Sequence, residues 1–410
     1  MTTAPRFDYD HHSVDYADHA EDIHHAARRA GPLVHSGNYG GFYVATDYDT
    51  VVTIARDDAS FSSRHILDDP VYQGITVPPA PMVFLPIESD PPEFVPYRKL
   101  LNPYFSPSAA RRLKDTIDQW STAALDSVIA TGSIDFVRDY GNAVSALFTC
   151  ELLGLPPAEW RELAEPIHER AYTVPRAPAN DRAIARFQAC VDRVRLIIAE
   201  RREKPADDLI SVLVRSDIDG VPVSDEVVAN VCRGLISGGF GTTASLVANI
   251  LWYLGEHPED RQRLIDDPGL LPGAIEEFLR YFTPSQALAR TVTRDVDLGS
   301  CPLRRSDRVL MSWAGANRDP RQFESPDEVI IDRFPNRHVA FGTGLHRCIG
   351  SNFARVELSS MVSEVLRRIP DYALATGQAR KYPSIGVING WISLPATFTA
   401  GPVVQNRRLP

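Results

Sequence analysis

From Ser224 to Gly255 the chain offers one unbroken helical segment, and this segment limits the fold more than any other feature. Ser224 is a good N-cap, and Asp225 and Glu226 place negative charge in the first turn, where free N–H groups favour it. At 1.5 Å per residue the segment runs roughly 45 Å, enough to cross a whole domain. A chain built around such a rod must pack its other helices against it. Within the rod lies Gly238-Gly239-Phe240-Gly241-Thr242-Thr243. A mid-helix glycine costs up to about 1 kcal/mol against alanine, so three within four positions cost on the order of 2–3 kcal/mol. Close packing of another helix, or a ligand approaching the backbone, must require them. A hydroxyl at Thr242 could bond a small polar ligand there and relay a proton.

The remaining pattern is mainly helical. Helices are expected over 48–55, 108–129, 141–154, 181–202, 271–281 and 352–368, with short strands near 41–46, 290–296, 309–313 and 391–398. The fold class is therefore mainly α with small β-sheets (α+β). No Gly/Ser linker, charge block or internal repeat divides the 410 residues, so a single domain over 1–410 is expected. From Pro70 to Ile87 there is no charged residue, and the prolines forbid a regular helix, which suggests an apolar loop or lid over an apolar pocket. The N-terminus has no apolar core of a signal peptide, and no run of 18 apolar residues suggests a membrane anchor. Five scattered cysteines argue against a disulfide framework and for a reducing cytoplasm. A net charge of −10 without a basic stripe speaks against nucleic acid.

Cys348 lies in Phe341-Gly342-Thr343-Gly344-Leu345-His346-Arg347-Cys348-Ile349-Gly350, just before a helix with Phe353, Val356, Met361, Val365 and Leu366 at helical spacing. A sulfur at a helix N-terminus meets unpaired N–H groups, which favour the thiolate. An isolated cysteine is more often a small buried hydrophobe. Zinc is a poor alternative, because no CxxC pair completes a tetrahedron with His346 and Cys348. A thiolate facing a flat space cleared by glycines suits haem, with sulfur as the axial ligand.

The whole string resembles the haem-binding loop of the cytochrome P450 family (FGxGxHxCxG) at every defined position. The resemblance extends from about residue 40 to the C-terminus and is strongest over 224–358. It implies the P450 fold, with the long helix over haem b. It assigns Phe341, Gly342 and Gly350 to the cofactor loop and Cys348 to the iron. Thr242 matches the threonine of the family's oxygen-binding groove, [AG]-G-x-[DE]-T-[TS], with Gly238 and Gly241 in the same groove. Gly241 departs from that pattern, since the family usually has an acid there, and water admitted by a widened glycine groove is the expected substitute. Glu277 and Arg280 match the family's ExxR, with Arg333 as the third, structural member. For the propionates the resemblance points to Arg290, Arg98 and His346, which an extended loop would turn to the cysteine's side. Many relatives have a histidine where this chain has Phe94, and Tyr97 is the candidate to compensate.

The implied activity is that of a monooxygenase using O2 and electrons from a separate ferredoxin or flavodoxin with its reductase. Arg98, Lys99, Arg111, Arg112 and Arg347 could offer such a partner a basic patch. The expected pocket wall is Val71, Val83, Phe84, Leu85, Leu235, Gly238, Ser285, Ala287, Val387 and Ile388, none of them charged. A small apolar ring compound of terpenoid type is the expected substrate, and a steroid or macrolide also fits. A cytoplasmic monomer without nucleic-acid or membrane partners is expected. Three alternatives stand beside this reading. A peroxide-driven peroxygenase would explain the missing acid, but Thr242 is kept. A nitric oxide reductase of the same fold needs a cationic mouth, yet residues 66–97 hold no Lys or Arg. A haem sensor without turnover needs no proton path.

Overall fold

The computed structural model describes residues 4–299, 301–405 and 407–410. Its helices in the first half are α1 (Val14–Ala30), α2 (Tyr48–Arg56), α3 (Phe94–Leu101), α4 (Pro107–Arg112), α5 (Lys114–Asp126), α6 (Asn142–Leu153), α7 (Trp160–Tyr172) and α8 (Pro178–Glu203). After them come α9 (Leu209–Arg215), α10 (Asp225–Glu256), α11 (Pro258–Asp266), α12 (Leu271–Phe282), α13 (Trp313–Ala316) and α14 (Ser351–Arg368). The helix expected over 108–129 breaks at Leu113, whose φ of −95° and ψ of 5° leave the helical basin.

The long helix α10 is continuous, and the Ser224 hydroxyl accepts from the Val227 N–H as its cap. Helices α6, α7, α8, α12 and α14 pack against it. An 18-residue window of α10 reaches a mean hydropathy of 1.3, enough in length and composition for a membrane span. Yet 67% of that window is buried within the protein, as befits a core helix.

A five-stranded sheet stands beside this bundle, formed by β1 (Leu33–Ser36), β2 (Phe42–Ala45), β3 (Phe61–Ser62), β4 (Ala287–Val292) and β5 (Arg308–Ser312), in the order β1-β2-β5-β4-β3. Strand β5 runs parallel to β2 and antiparallel to β4, with Val309 opposite Arg290. Side chains alternate between faces, so Phe42, Val44, Ala289 and Leu310 join one core, and Ala45, Val292, Val309 and Met311 join another. The strand expected over 290–296 starts earlier, at Ala287, and ends at Val292, while Val296–Leu298 pairs separately with Cys301–Leu303. The strand expected over 391–398 divides at Leu394, its two halves pairing with different partners.

The proline-rich segment before α3 folds around a buried carboxylate. Glu88 accepts from the backbone N–H groups of Ile75 at 3.0 Å and Phe84 at 2.8 Å, and pairs with His65 Nδ1 at 3.1 Å. Gly74 sits at φ 72°, and a Cβ there would collide with Glu88. At the inner end of the loop, Leu85 N donates to the Asn230 carbonyl of α10. A Cβ on Gly234 would strike the Leu85 carbonyl, so the loop lies directly on the long helix.

Candidate active site

The loop that carries Cys348 is held by its own backbone. Cys348 N donates to the Phe341 carbonyl at 2.8 Å, and Arg347 N donates to the Gly344 carbonyl. The loop is thus a turn around His346, not the extended loop expected there. Gly342 and Gly344 adopt φ of 65° and 73°, where side chains are strained. A Cβ on Gly344 would also meet the Ala55 carbonyl at the end of α2. Three residues after the cysteine, Ser351 opens α14.

The Cys348 side chain is accessible although it lies deep in the protein, as a thiol on the wall of an internal space does. Burial pushes the thiol up, while the Gly350 N–H and the charges of Arg347, Arg98 and Arg355 pull it down. The net direction is upward. The helix end thus acts in the expected direction, and desolvation opposes it.

Beneath the loop, Glu277, Arg280 and Arg333 meet. Arg280 donates to both Glu277 oxygens at 2.8 Å, and Arg333 Nε lies 3.0 Å from Glu277 Oε2. Arg280 further donates to the carbonyls of Asn317, Pro326 and Glu328. Ile330 N and Asn336 Nδ2 complete the set on Glu277. Both Glu277 and Arg280 have 0% exposure, so every such bond offsets a large desolvation cost. A neighbouring pair ties the loop to α14: Glu276 accepts from Arg355 at 2.7 Å and bonds His338 at 3.0 Å.

Three nitrogen-bearing side chains gather around the other end of the loop. Both ring nitrogens of His346 are buried and without a hydrogen bond. Burial first, then the charges of Arg290 and Arg98, lower its pKa to about 3, so the two arginines lie within electrostatic reach. Arg290, on β4, is buried and donates only to the Ala289 carbonyl among the described residues. Arg98 donates to the Arg347 carbonyl at 3.0 Å. Neither arginine forms an ion pair among the described residues. The Phe94 ring packs on His346 with centroids 4.4 Å apart, and half-buried Tyr97 leans on the helical core.

Across α10 the glycines divide by role. A Cβ on Gly239 would lie 2.8 Å from Thr149 Oγ1 of α6, so Gly239 serves helix packing. A Cβ on Gly241 would lie 3.1 Å from Ile388 Cδ1. Only Gly238 among the three faces open space, with nothing within 4 Å of a Cβ. Of the widened glycine groove expected from the sequence, the open position is Gly238. Thr242 Oγ1 donates to the Gly238 carbonyl at 2.9 Å, within its own helix.

The expected pocket wall falls into two cores on either side of this segment. Phe84, Leu85 and Leu235 pack with the helical core, and Ala287, Val387 and Ile388 with the sheet-side core. Ser285 pairs with Ile388 across a β-bridge. The Val83 carbonyl accepts from Arg233, and the Val71 carbonyl from Thr291. A surface groove of about 330 Å3 bounded by His35, Tyr39 and Arg308 lies apart from Cys348 and Thr242.

A family model described as Cytochrome P450 matches residues 179–370. A steroid C26-monooxygenase of Mycolicibacterium smegmatis is 32% identical over 395 residues, which are 95% of this chain and 96% of that protein. The chain belongs to the cytochrome P450 family. Another steroid C26-monooxygenase, from Mycobacterium tuberculosis, is 30% identical over 98% of this chain and 99% of its own length. Among solved structures, CYP109E1 from Bacillus megaterium in complex with testosterone superposes with a TM-score of 0.83 at 27% identity, covering 94% of this chain and 99% of that one.

The protein is thus a cytochrome P450 monooxygenase, and the family implies a haem. The residues of this P450 fit such a group. Donor-only arginines beside an unbonded buried histidine suit an anion, and haem brings two carboxylates. The accessible thiol and the open position at Gly238 suit a flat ligand. Sequence reasoning missed Glu88, Glu276 with Arg355 and His338, and Arg170, whose guanidinium carbon lies 5.1 Å from the Phe84 ring. The adjacency of Glu276 to the ExxR was a usable signal. Glu88 and Arg170 offered none, since their partners are far apart in the chain.

Proposed function

We propose that this P450 hydroxylates an apolar ring compound of terpenoid or steroid type, with O2 and electrons from a separate ferredoxin or flavodoxin and its reductase. In this reading the chain is one domain over 1–410 that works as a cytoplasmic monomer. Haem b, held by Cys348, would supply activation of oxygen and its insertion into a C–H bond. The observation that carries the assignment is the accessible, deeply placed thiol beside Arg98, Arg290 and His346, three groups with no carboxylate paired to them among the described residues.

The chain's own residues then divide the work. Arg98, Arg290 and His346 bind the two propionates, and the Tyr97 hydroxyl, unbonded among the described residues, donates as well. Phe341, Gly342 and Gly350 shape the seat, and Glu277, Arg280 and Arg333 keep the loop rigid. The Thr242 hydroxyl leaves the Gly238 carbonyl to hold a proton at Oγ1, and water in the space at Gly238 replaces the acid missing at Gly241. The pocket wall of Val83, Phe84, Leu85, Leu235, Ser285, Ala287, Val387 and Ile388 excludes bulk water and grips the apolar body. Lys99, Arg111, Arg112 and Arg347 are exposed and unpaired among the described residues, which suits docking of an acidic redox partner. The names of the steroid C26-monooxygenases and the testosterone complex favour a steroid within this class.

The test is direct. The reduced carbon monoxide complex of the purified holoprotein should show the thiolate-ligated band, and its absence would refute the reading. Terpenoids and steroids should then shift the resting spin state and be hydroxylated with a surrogate ferredoxin and reductase. Equal turnover on hydrogen peroxide alone would favour the peroxygenase alternative, as the missing acid at Gly241 allows.

A further inference from the structure

We infer that the substrate carries a carboxylate on its apolar body, and that Arg170 receives it. This rests on the monooxygenase reading and narrows its substrate class. Arg170 stands near the end of α7, one residue before Ala171, which packs in the same core as Val77, Ala287 and Ile388. Its guanidinium lies over Phe84 at 5.1 Å and over Phe187 at 6.0 Å. Those two rings belong to the helical core. Arg170 therefore stands at the seam between the two cores that hold the pocket wall. The Leu85 carbonyl, one residue beyond Phe84, rests on Gly234, one helical turn before the open position at Gly238.

The charge at this seam has no partner. Arg170 makes no ion pair and no hydrogen bond among the described residues. It is partly accessible, yet burial lowers its pKa, the same combination of depth and access that Cys348 shows. Glu88 is the acid whose charge reaches it, but both Glu88 oxygens already accept from His65, Ile75 and Phe84. Arg233, the other cation near the loop, is occupied by the Val83 carbonyl and Asn230 Oδ1. Withdrawing a guanidinium from water without a counter-ion is costly unless an anion completes the site. A carboxylate matches its fork with two parallel bonds. The Phe84 and Phe187 rings attract the cation and limit where that fork can sit.

Binding to the haem-loaded protein tests this, by calorimetry and by the spin-state shift. The probes are myristate against 1-tetradecanol, and lithocholate against its methyl ester. In the natural protein at least one acid should bind about tenfold or more tightly than its neutral counterpart. Arg170→Met keeps the length and the ring contacts but removes the charge. It should weaken acid binding by about 10- to 100-fold, the loss of a charge-assisted bond, and leave the neutral partners within about threefold. Arg170→Lys should retain part of the preference, and serves if the methionine variant does not fold. Equal affinity for acid and neutral forms, an equal loss of both in the methionine variant, or no binding of either acid would overturn the proposal. An intact thiolate band with turnover of neutral compounds would then show that the monooxygenase reading stands and only the anchor fails.

Discussion

The two faces of the space in front of Cys348 are built on opposite terms. On the cysteine side the Glu277 network is fully answered: Glu277 alone takes bonds from Arg280, Arg333, Ile330 and Asn336. On the side of α10 and the proline-rich loop, Arg170 has no counter-ion among the described residues and Gly238 faces open space. A saturated network has one low-energy arrangement, so it holds the segment that leads into the Cys348 loop. An unsaturated surface leaves interactions to be completed by whatever binds. The difference teaches which half can vary with the substrate and which cannot.

The comparison breaks most sharply at Glu277. Glu277→Ala leaves Arg280 and Arg333 buried without their shared carboxylate, and removing one partner of a buried ion pair costs about 3–5 kcal/mol. Denaturant unfolding should show that loss, together with reduced haem content and a weakened thiolate band. A loss below about 1 kcal/mol would mean that the network does not hold the loop.

Glu357 departs from the pattern on its own side. It lies on α14, buried, with Oε2 unbonded, and burial pushes its carboxyl up to about 8. In the unfolded chain it titrates near 4.3, so between these values the folded protein holds the extra proton. Stability from this group is therefore full below about pH 4 and falls as pH rises toward 8. Glu357→Gln should remove a decline on the order of 3 kcal/mol between pH 5 and 8, seen in unfolding curves at the two pH values. The same slope in both proteins would show that the carboxyl is solvated.

How much of this was legible in the sequence follows the same division. The cysteine side was readable residue by residue, because the loop glycines, His346 and the Glu277–Arg280 spacing are local patterns. The long helix was readable from its cap and its apolar run. The roles of the glycines were not, because they depend on what stands opposite: Thr149 for Gly239, Ile388 for Gly241 and nothing for Gly238. Glu88 and Arg170 were hidden for the same reason, since a loop carboxylate and a helix arginine look like solvated surface until their surroundings are known. At Cys348 a motif shows the helix end that favours the thiolate but not the depth of burial that opposes it.

Thr242 sharpens the comparison on the open side. Its hydroxyl is bound only to its own helix, and in the proposed function it leaves that bond to hold a proton. Thr242→Ala should lower product formed per electron pair at least about tenfold while apolar ligands still shift the spin state, a modest part of what positioned proton transfer contributes. Unchanged coupling would remove Thr242 from the proton path. Gly241→Asp should not raise coupling, because its side chain would press on Ile388 rather than enter the open space at Gly238.

The smallest effect separates the glycines themselves. Gly238→Ala meets nothing within 4 Å, so it should gain the helix propensity that glycine forfeits, about 0.5–1 kcal/mol. Gly241→Ala gains the same propensity but must move Ile388 Cδ1 from 3.1 Å, and its net change should be near zero. Ligand affinity should run the other way, since the new methyl at Gly238 occupies space that an apolar substrate would fill. A Gly238→Ala protein that is more stable and binds apolar ligands more weakly would show helix stability given up for room. If it bound them as well as the natural protein does, the open position would lie outside the pocket, and Gly238 would have no role there.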